Sequence, residues 1–174
     1  LSDDPSFLQK VAVSFSENVF GVAEDKRPTA LATKRVAGRN IRVAFYSADF
    51  RAHPVTECLL PILENSPSDF EVYLLSLHPK SDAYTKKLQG MVEGFYDCTG
   101  MDFSSTQALV TELGIDLLVD LTCYTSGGRP AFVSKRLAPI QVNYLGFSGT
   151  TGSAAYDFII ADEYIMSNGR ERYY

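Results

Sequence analysis

Short apolar runs recur along the chain from residue 41 onward, and most are followed by a polar stretch long enough for a helix. The runs show little alternation between apolar and polar positions, which is typical of strands covered on both faces. They are Ile41–Ser47, Phe70–Leu77, Phe95–Cys98, Leu117–Leu121, Ile140–Leu145 and Phe158–Ala161. Strands of this kind, separated by helices, predict a doubly wound α/β domain built on a mostly parallel sheet.

Four helices are predicted between these strands. They are His53–Glu64, Ala83–Gly94, Ser104–Leu113 and Pro130–Leu137. Pro61 is expected to kink or end the first of them, because proline lacks a backbone N–H. Ser104 or Ser105 is expected to cap the third, which Gly114 ends.

The first 40 residues differ in pattern from the rest of the sequence, so the chain is divided into 1–40 and 41–174. Asp4 suits a helix N-cap and Pro5 suits the first helical position. Apolar residues then fall on one face, which is expected to pack on the domain or on an upstream element. They are Phe7, Leu8, Val11, Ala12, Phe15 and Val19. The stretch from Glu24 to Arg42 carries six basic and two acidic residues and is interpreted as a basic linker.

The bulk composition excludes several classes of protein. A net charge of −5 argues against nucleic acid as the main partner, because phosphate binding requires a basic surface. No apolar run is long enough to cross a membrane, and the 3 cysteines contain no CxxC pair. We therefore expect a cytoplasmic protein with no metal site and no disulfide framework. Because the chain starts at Leu1 and stops in a charged, helix-like stretch, we also expect it to be a fragment of a longer protein.

Three polar loops follow the first, fourth and fifth predicted strands. We call them loop 1 (Ala48–His53), loop 2 (Thr122–Arg129) and loop 3 (Phe147–Ala154). In doubly wound sheets the ligand crevice lies beyond the carboxyl ends of the strands. The three loops are therefore expected to converge as walls of one cleft.

Loop 1 contributes a histidine just ahead of a helix. His53 is a candidate to contact an anion, to polarise a hydroxyl, or to act as a general acid or base. The alternative is a histidine that only hydrogen-bonds a neighbouring loop. Asp49 is interpreted as a turn former or cap rather than a base.

Loops 2 and 3 contribute hydroxyls and glycines. In loop 2, Gly127 and Gly128 permit positive φ and close backbone approach, which suits a hydroxyl-rich ligand. The loop also supplies hydroxyls, from Thr122, Tyr124, Thr125 and Ser126. The alternative for loop 2 is a tight turn capped by Ser and Thr. Around loop 3, glycines at a spacing of three resemble a phosphate nest, although no lysine follows as in a P-loop. The residues of interest there are Gly146, Gly149, Gly152, Thr150 and Thr151.

The remaining polar and thiol groups near the loops are given structural interpretations. Asp120 lies inside a strand and is interpreted as structural. Cys58 and Cys98 are expected to be small core residues. Cys123 is placed in the cleft, but nothing in the sequence pairs it with His53, so a catalytic thiol is not favoured.

Three segments together resemble a known family. They are SADFRAHPV, DLTCYTSGGRPAFVSKRLAPIQVNYLGFSGTTG and YDFIIAD. They closely resemble the O-linked N-acetylglucosamine transferases, which include the SPINDLY-type O-fucosyltransferases and bacterial tetratricopeptide-repeat relatives. The match covers about residues 40–165 in order, and the block RLAPIQVNYLGFSGTTG is the most specific part.

The resemblance implies a GT-B fold, in which two Rossmann-like halves face each other across a cleft, and this chain is similar to the amino-terminal half. It implies that a nucleotide-sugar donor such as UDP-N-acetylglucosamine is held mostly by the missing carboxyl-terminal half, with no separate cofactor. It also implies tetratricopeptide repeats upstream and a protein or peptide acceptor.

The resemblance further implies which residues form the site. His53, Tyr124, Thr125 and the segment Gly146–Thr150 would face the transferred sugar and the acceptor hydroxyl. We assign His53 to orientation rather than to base catalysis, because no carboxylate is evident near it in sequence to fix its tautomer. The family pattern has glycine where this chain has Cys123 and proline where it has Ser148, and both differences bear on donor preference.

The sequence thus predicts the amino-terminal half of a protein O-glycosyltransferase, inactive as this chain alone. The alternative is a non-catalytic sugar- or protein-binding scaffold module that keeps the half-fold. A nucleotide-binding oxidoreductase is poorly supported, because the first strand ends in SADF where a dinucleotide fingerprint requires glycines.

Overall fold

Six parallel strands form one sheet in a computed structural model that describes residues 4–21, 38–166 and 169–174. The strands are β1 (Ile41–Ser47), β2 (Phe70–Ser76), β3 (Gly94–Asp97), β4 (Leu117–Asp120), β5 (Ile140–Tyr144) and β6 (Phe158–Ile160). Their spatial order is β3-β2-β1-β4-β5-β6, and every neighbouring pair runs parallel. The predicted α/β class with a parallel sheet is confirmed.

Helices cover both faces of this sheet. They are α1 (Pro5–Phe20), α2 (Pro54–Glu64), α3 (Ala83–Gln89), α4 (Phe103–Glu112) and α5 (Pro130–Val133), and a 3₁₀ turn follows at Glu171–Tyr173. Successive strand residues point to opposite faces. Val43 and Phe45 belong to the core that contains residues of α2 and α3, whereas Ala44 and Tyr46 belong to the core that contains residues of α4 and α5.

The strand order places the three loops next to one another. β1 pairs with β2 on one side and with β4 on the other, so the direction of winding reverses between β1 and β4. Tyr46 is paired with Asp120, and Asp120 is paired with Asn143. Loops 1, 2 and 3 therefore leave the sheet side by side at its carboxyl edge, where a doubly wound sheet binds ligands.

The predicted end of α2 at Glu64 is confirmed, whereas the predicted ends of α3 and α5 were wrong. Pro61 does not end α2, because it lies on the exposed face, where the carbonyl left without a partner can be hydrated. α3 ends at Gln89 rather than Gly94, with Gly90 as its C-cap. α5 ends at Val133 rather than Leu137, and Arg136 then takes a left-handed φ of 62°.

The start of α4 was also assigned to the wrong residue. The N-cap is Asp102, whose carboxylate accepts a 2.8 Å hydrogen bond from Ser105 N. Asp102 satisfies the same orphan N–H groups that a serine cap would, so the serines fall inside the first turn.

The amino-terminal helix α1 packs on the connection between β5 and β6, which contains no helix of its own. Asp4 caps α1 as predicted, accepting from Ser6 N at 2.9 Å. A Cβ on Gly152 would lie 2.2 Å from the Ala12 carbonyl carbon, and Gly152 has a φ of +61°. Gly152 thus lets the backbone of α1 approach at Ala12 and Val13, a contact that a side chain at 152 would block.

The apolar face predicted for α1 is only partly covered by the described residues. Phe7, Leu8, Val11, Phe15 and Val19 remain between 47% and 55% exposed. The close approach at Gly152 instead turns the smaller residues of α1 toward the domain, and Ser16 is buried. Most of the predicted basic linker, residues 24–37, lies outside the described part of the chain.

Two further points concern the surface. Cys58 was predicted to be a core residue, but it is exposed on α2 beside the exposed Glu57. Among the described residues, no helix has both the length and the apolar character needed to cross a membrane.

Candidate functional site

Hydrogen bonds between side chains and backbone join the three loops into one continuous rim. The buried Thr122 hydroxyl lies 3.1 Å from the Ser47 hydroxyl and accepts from Ala48 N at 3.0 Å, which ties loop 2 to the start of loop 1. The Tyr124 hydroxyl donates to Thr151 O at 2.8 Å, which ties loop 2 to loop 3. The predicted convergence of the loops therefore has a physical basis in these bonds.

His53 is the N-cap of α2. Its Nδ1 accepts a hydrogen bond from Val55 N at 3.2 Å, and its side chain stays about one-third exposed at 33%. An imidazole nitrogen that accepts a hydrogen bond carries no proton, so the neutral ring holds its proton on Nε2. His53 therefore presents an N–H donor, rather than a basic nitrogen, to a ligand in the cleft.

A carboxylate does lie near His53, contrary to the expectation from sequence. Asp49 Oδ1 is 3.7 Å from His53 Nε2, and the same oxygen accepts from Arg51 Nη2 at 2.9 Å. The distance to His53 is too long for a hydrogen bond. Asp49 thus pairs with Arg51 first, and the Nε2–H of His53 remains available to a substrate oxygen.

The first turn of loop 2 is organised by Asp120, the last residue of β4. Asp120 Oδ1 accepts from Thr122 N and Cys123 N, each at 2.9 Å, and Oδ2 accepts from the Tyr156 hydroxyl at 2.7 Å. Cys123 has a φ of +47°, which lies in the left-handed region. A non-glycine residue there costs about 1–3 kcal/mol and persists only when its surroundings hold it.

The predicted substrate-binding residues of loop 2 have different environments. Tyr124 is half-buried against Phe15 and Phe147, at ring-centroid distances of 5.7 and 5.1 Å, and its hydroxyl proton is used by Thr151 O. Thr125 is exposed and donates to Thr122 O at 2.7 Å. The protons of both hydroxyls are therefore used within the protein, and the Tyr124 hydroxyl is also bonded by the Ser16 side chain.

The glycines of loop 2 allow the loop to lie against its neighbours. Gly127 has a φ of +85°, and a Cβ there would lie 2.7 Å from the Ala48 side chain. A Cβ on Gly128 would lie 2.0 Å from Cys123 O. Gly128 is needed for close approach rather than for positive φ, whereas Gly127 is needed for both.

Loop 3 begins with the same kind of turn as loop 2. Leu145 has a φ of +64°, and a Cβ on the adjacent Gly146 would lie 2.1 Å from Leu121 O. In the described residues, four consecutive backbone N–H groups after it have no acceptor, at Phe147, Ser148, Gly149 and Thr150. None of the four residues has a positive φ, so they do not form the alternating nest that the glycine spacing suggested, but their N–H groups are free to donate to a ligand beside loop 3.

A groove of about 380 Å³ adjoins this row of donors. Gly149 and Thr150 line it together with apolar residues of α1 and the rings of Tyr124 and Phe147. Gly149 contacts the Phe147 ring, which a Cβ at 149 would approach to 3.0 Å. Thr150 and Gly149 thus lie on the α1 side of loop 3, while Gly146 lies against loop 2.

The thiol and the phenol below loop 2 are neutral at ordinary pH because burial raises their pKa values. Burial raises the pKa of the Cys123 thiol to about 12, and Cys123 is fully buried beneath the loop rather than exposed in the cleft. Burial also raises the pKa of the Tyr156 hydroxyl. A thiol with a raised pKa is a poor nucleophile, so Cys123 has a packing role.

Two residues important to the rim were not singled out as functional from sequence, Asp120 and Tyr156, which hold loop 2 from below. Thr122 was predicted to offer its hydroxyl to a ligand, but that hydroxyl is buried and bonded to Ser47 and Ala48 N. The sequence signal that could have found Asp120 is an aspartate two residues before a threonine at a strand end, since Asp side chains cap the N–H groups that follow them. Tyr156 is 36 residues away in sequence and gives no local signal.

No group of three or more His, Cys, Asp or Glu side chains that could hold a metal ion is found in the described ranges. The expectation of a metal-free site stays a prediction.

The sequence is similar to those of several peptide N-acetylglucosaminyltransferases, some of them named as probable. The sequence is 29% identical over 149 residues to a probable UDP-N-acetylglucosamine–peptide N-acetylglucosaminyltransferase (SEC) of Arabidopsis thaliana, covering 84% of this chain and 15% of that protein. It is 32% identical over 133 residues to the probable enzyme SPINDLY of Oryza sativa subsp. japonica, covering 74% and 14%. It is 30% identical over 129 residues to the Caenorhabditis elegans UDP-N-acetylglucosamine–peptide N-acetylglucosaminyltransferase, covering 72% and 11%.

The fold is similar to that of a solved glycosyltransferase. A mutant of the Thermobaculum terrenum O-GlcNAc transferase superposes with a TM-score of 0.82 at 28% identity, over 98% of this chain and 33% of that one. The sheet and its rim thus define one Rossmann-like half of a GT-B glycosyltransferase. The sequence model of glycosyl transferase family 41 matches residues 21–171, and the chain belongs to that family.

The chain is short relative to these proteins. It spans 11% to 15% of the length of these three relatives and about a third of the solved structure. What it shares with them is the region that contains loops 1, 2 and 3.

Proposed function

We propose that the chain is the amino-terminal half of the catalytic region of a nucleotide-sugar-dependent protein O-glycosyltransferase. The protein transfers N-acetylglucosamine or a related sugar to serine or threonine hydroxyls. Family membership supports the reaction class, and the joined rim of loops supports the location of the sugar.

The observation that carries the proposal is the joined rim: loop 3 carries the unpartnered N–H groups from Phe147 to Thr150, and bonds through loop 2 tie it to loop 1, which carries the Nε2–H of His53. A sugar presents many hydroxyl and carbonyl oxygens, each of which can accept from such donors. Exposed donors on a rigid rim also cost no reorganisation when charge develops on an oxygen in the transition state.

His53 acts in this reaction by orienting an oxygen. In the transfer, the acceptor hydroxyl oxygen bonds to the anomeric carbon, and the bond from that carbon to the diphosphate breaks. Because Nδ1 accepts from Val55 N and Nε2 carries the proton, neutral His53 donates a hydrogen bond and does not remove the hydroxyl proton. That proton passes to another group, and the role of His53 is positioning.

The Tyr124 and Thr125 oxygens accept hydrogen bonds from sugar hydroxyls, since their own protons are used within the loops. Gly127 leaves room for the Ala48 side chain, and Gly146 lets the backbone of loop 3 approach the backbone of Leu121.

The rest of the protein completes the site. A carboxyl-terminal half holds the nucleotide of a donor such as UDP-N-acetylglucosamine, and no metal or separate cofactor takes part. Tetratricopeptide repeats precede the catalytic region, a protein or peptide supplies the hydroxyl, and the reaction takes place in the cytoplasm.

A donor screen on the full-length protein tests the proposal. Calorimetry with UDP-N-acetylglucosamine, GDP-fucose and UDP-glucose is expected to find one donor that binds, and mass spectrometry with that donor is expected to find the added sugar on serine or threonine of a peptide. Donor binding without any transfer to peptides or proteins would instead support the non-catalytic scaffold.

A further inference from the structure

The buried carboxylate of Asp120 has no basic partner. Asp120 is 1% exposed, and its described hydrogen bonds come from two backbone N–H groups and from the Tyr156 hydroxyl. No arginine or lysine is among the described groups that bond it or shift its pKa. Burying an ionised carboxylate without a cation costs several kcal/mol, so the three donors and the structure they hold must offset that cost.

The structure that Asp120 holds is a strained turn. Both backbone donors belong to the first turn of loop 2, and the second of them is Cys123, with its φ of +47°. A carboxylate oxygen that accepts from the N–H groups of Thr122 and Cys123 fixes their relative orientation, and therefore φ and ψ of Thr122. The side chain of Asp120 thus holds the residue that leads into the left-handed Cys123, a conformation that persists only when its surroundings hold it.

The same turn sets the rest of loop 2. The Thr122 hydroxyl bonds the Ser47 hydroxyl and accepts from Ala48 N. The Thr122 carbonyl accepts from both the N–H and the hydroxyl of Thr125. Gly128 then lies against Cys123 O with no room for a Cβ. The position of Thr125 on the rim is therefore determined through the turn that Asp120 holds.

We propose that Asp120 is a positioning residue for sugar transfer, acting through the backbone of Thr122 and Cys123 to set loop 2 on the rim. The role in transfer depends on the proposed function, whereas the effect on loop 2 does not. Asp120 touches no reacting atom. It keeps Thr125 and the adjoining backbone in the geometry that a sugar meets.

Asn at position 120 is the conservative replacement. Both N–H groups bond the same oxygen, Oδ1, which asparagine retains. The asparagine Nδ2 would take the place of Oδ2 and donate to the Tyr156 oxygen, since a phenol can accept as well as donate. Leucine has a similar size and offers no acceptor.

The test uses Cys123 as a reporter of loop 2 and Cys98 as a reporter of the whole fold. Both thiols are buried, whereas Cys58 is exposed and is replaced by serine throughout. Native protein is reacted with an aromatic disulfide reagent, and the labelled cysteine is identified by peptide mass spectrometry. Asp116→Leu serves as the matched control, because Asp116 also bonds a backbone N–H, that of Arg42, but at the opposite end of β4.

In Asp120→Leu we expect Cys123 to be labelled at least about tenfold faster than in the parent, while Cys98 stays protected, since only the loop opens. Asp120→Asn and Asp116→Leu are expected to match the parent. Unchanged labelling of Cys123 in Asp120→Leu would overturn the proposal. Equal gains at Cys123 and Cys98 would overturn it too, because Asp120 would then support the whole domain.

The second arm measures transfer by the full-length protein. Asp120→Leu is expected to lower kcat by about tenfold or more with the donor KM changed by less than about threefold, and Asp120→Asn is expected to restore kcat. Opening of loop 2 with kcat unchanged would overturn the role in transfer. If the full-length protein transfers no sugar at all, the proposed function fails, while the labelling result still decides whether Asp120 holds the loop.

Discussion

The Tyr156 hydroxyl donates a 2.7 Å hydrogen bond to Asp120 Oδ2, and it does so from the far end of the β5–β6 connection. A second tyrosine bond runs the opposite way, from Tyr124 in loop 2 to Thr151 O in loop 3, at 2.8 Å. The end of β4 and loop 2 are thereby joined in both directions to the connection between β5 and β6. These two hydrogen bonds explain how the joined loops keep one conformation although Cys123 and Leu145, which are not glycines, have positive φ.

The two tyrosine bonds are expected to differ in strength. Tyr156→Phe removes a bond to a buried carboxylate and should lower the free energy of unfolding by about 1.5–3 kcal/mol. Tyr124→Phe removes a bond to a neutral carbonyl and should lower it by about 0.5–1.5 kcal/mol. Urea unfolding of the two variants checks this order, and an equal or smaller loss for Tyr156→Phe would contradict the assignment of a charged acceptor.

The stability of the domain should depend on pH through Asp120. Burial raises the pKa of this carboxyl above its usual 3.8, despite the three hydrogen bonds that lower it. The groups that face it are Tyr156, Cys123 and Tyr46, whose pKa values are also raised by burial, so all three stay neutral near pH 7.

A folded-state pKa above the unfolded one means that folding favours the protonated carboxyl. This contribution is complete below about pH 3.8 and is lost as the pH rises through the folded-state pKa. Asp120→Asn lacks the titration, so its unfolding free energy relative to the parent should rise between pH 4 and pH 7. Parallel pH profiles for the two proteins would show that Asp120 titrates in the folded state as it does in the unfolded chain.

Thiol reactivity should separate the three cysteines. Burial raises the pKa of Cys98 to about 11 and that of Cys123 to about 12, whereas Cys58 is exposed on α2. The thiolate is the reactive form, so a native chain should give one equivalent of fast reaction with Ellman's reagent, and the unfolded chain three. Loss of the fast equivalent in Cys58→Ser is the control, and a second fast thiol in the native protein would be inconsistent with the burial described.

Gly146 should tolerate no side chain. Its Cβ would lie 2.1 Å from Leu121 O and 2.9 Å from the Leu121 carbonyl carbon, and both are backbone atoms that cannot turn aside. Gly146→Ala should lower the free energy of unfolding by about 3 kcal/mol, as overpacking does. Gly100→Ala is the matched control, since nothing lies within 4 Å of its Cβ position. Equal stabilities of the two variants would refute the close approach of loops 2 and 3.

Much of the fold could be predicted from the sequence because the apolar runs are long and sharply bounded. β1 was predicted with both ends correct, and the other strand ends were within two residues. α2 also ends at Glu64 as predicted, and the buried Leu59 and Leu63 hold it in place around Pro61. The errors are at helix ends, as in α3, where Gly90 is the C-cap and the helix stops before the predicted residue 94. The orientation of α1 depends on a tertiary contact at Gly152, which no helical pattern reveals.

The location of the candidate site could be predicted from the sequence, but the contacts that hold its loops in place could not. His53 and loops 2 and 3 follow from the rule that ligands meet the carboxyl ends of parallel strands. Asp49 lies only four residues from His53 in sequence, yet its approach depends on how loop 1 folds back. The Asp120–Tyr156 bond joins two segments far apart in sequence, so only the fold brings it to light.

The most direct test of the central claim is sugar transfer by full-length protein carrying His53→Ala, compared with His78→Ala. These are the 2 histidines of the chain, and His78 follows β2, outside the joined loops. We predict that His53→Ala lowers kcat/KM by at least about tenfold, roughly 1.4 kcal/mol of transition-state stabilisation, while His78→Ala stays within about twofold of the parent. Unchanged transfer in His53→Ala would contradict a sugar site formed by loops 1, 2 and 3.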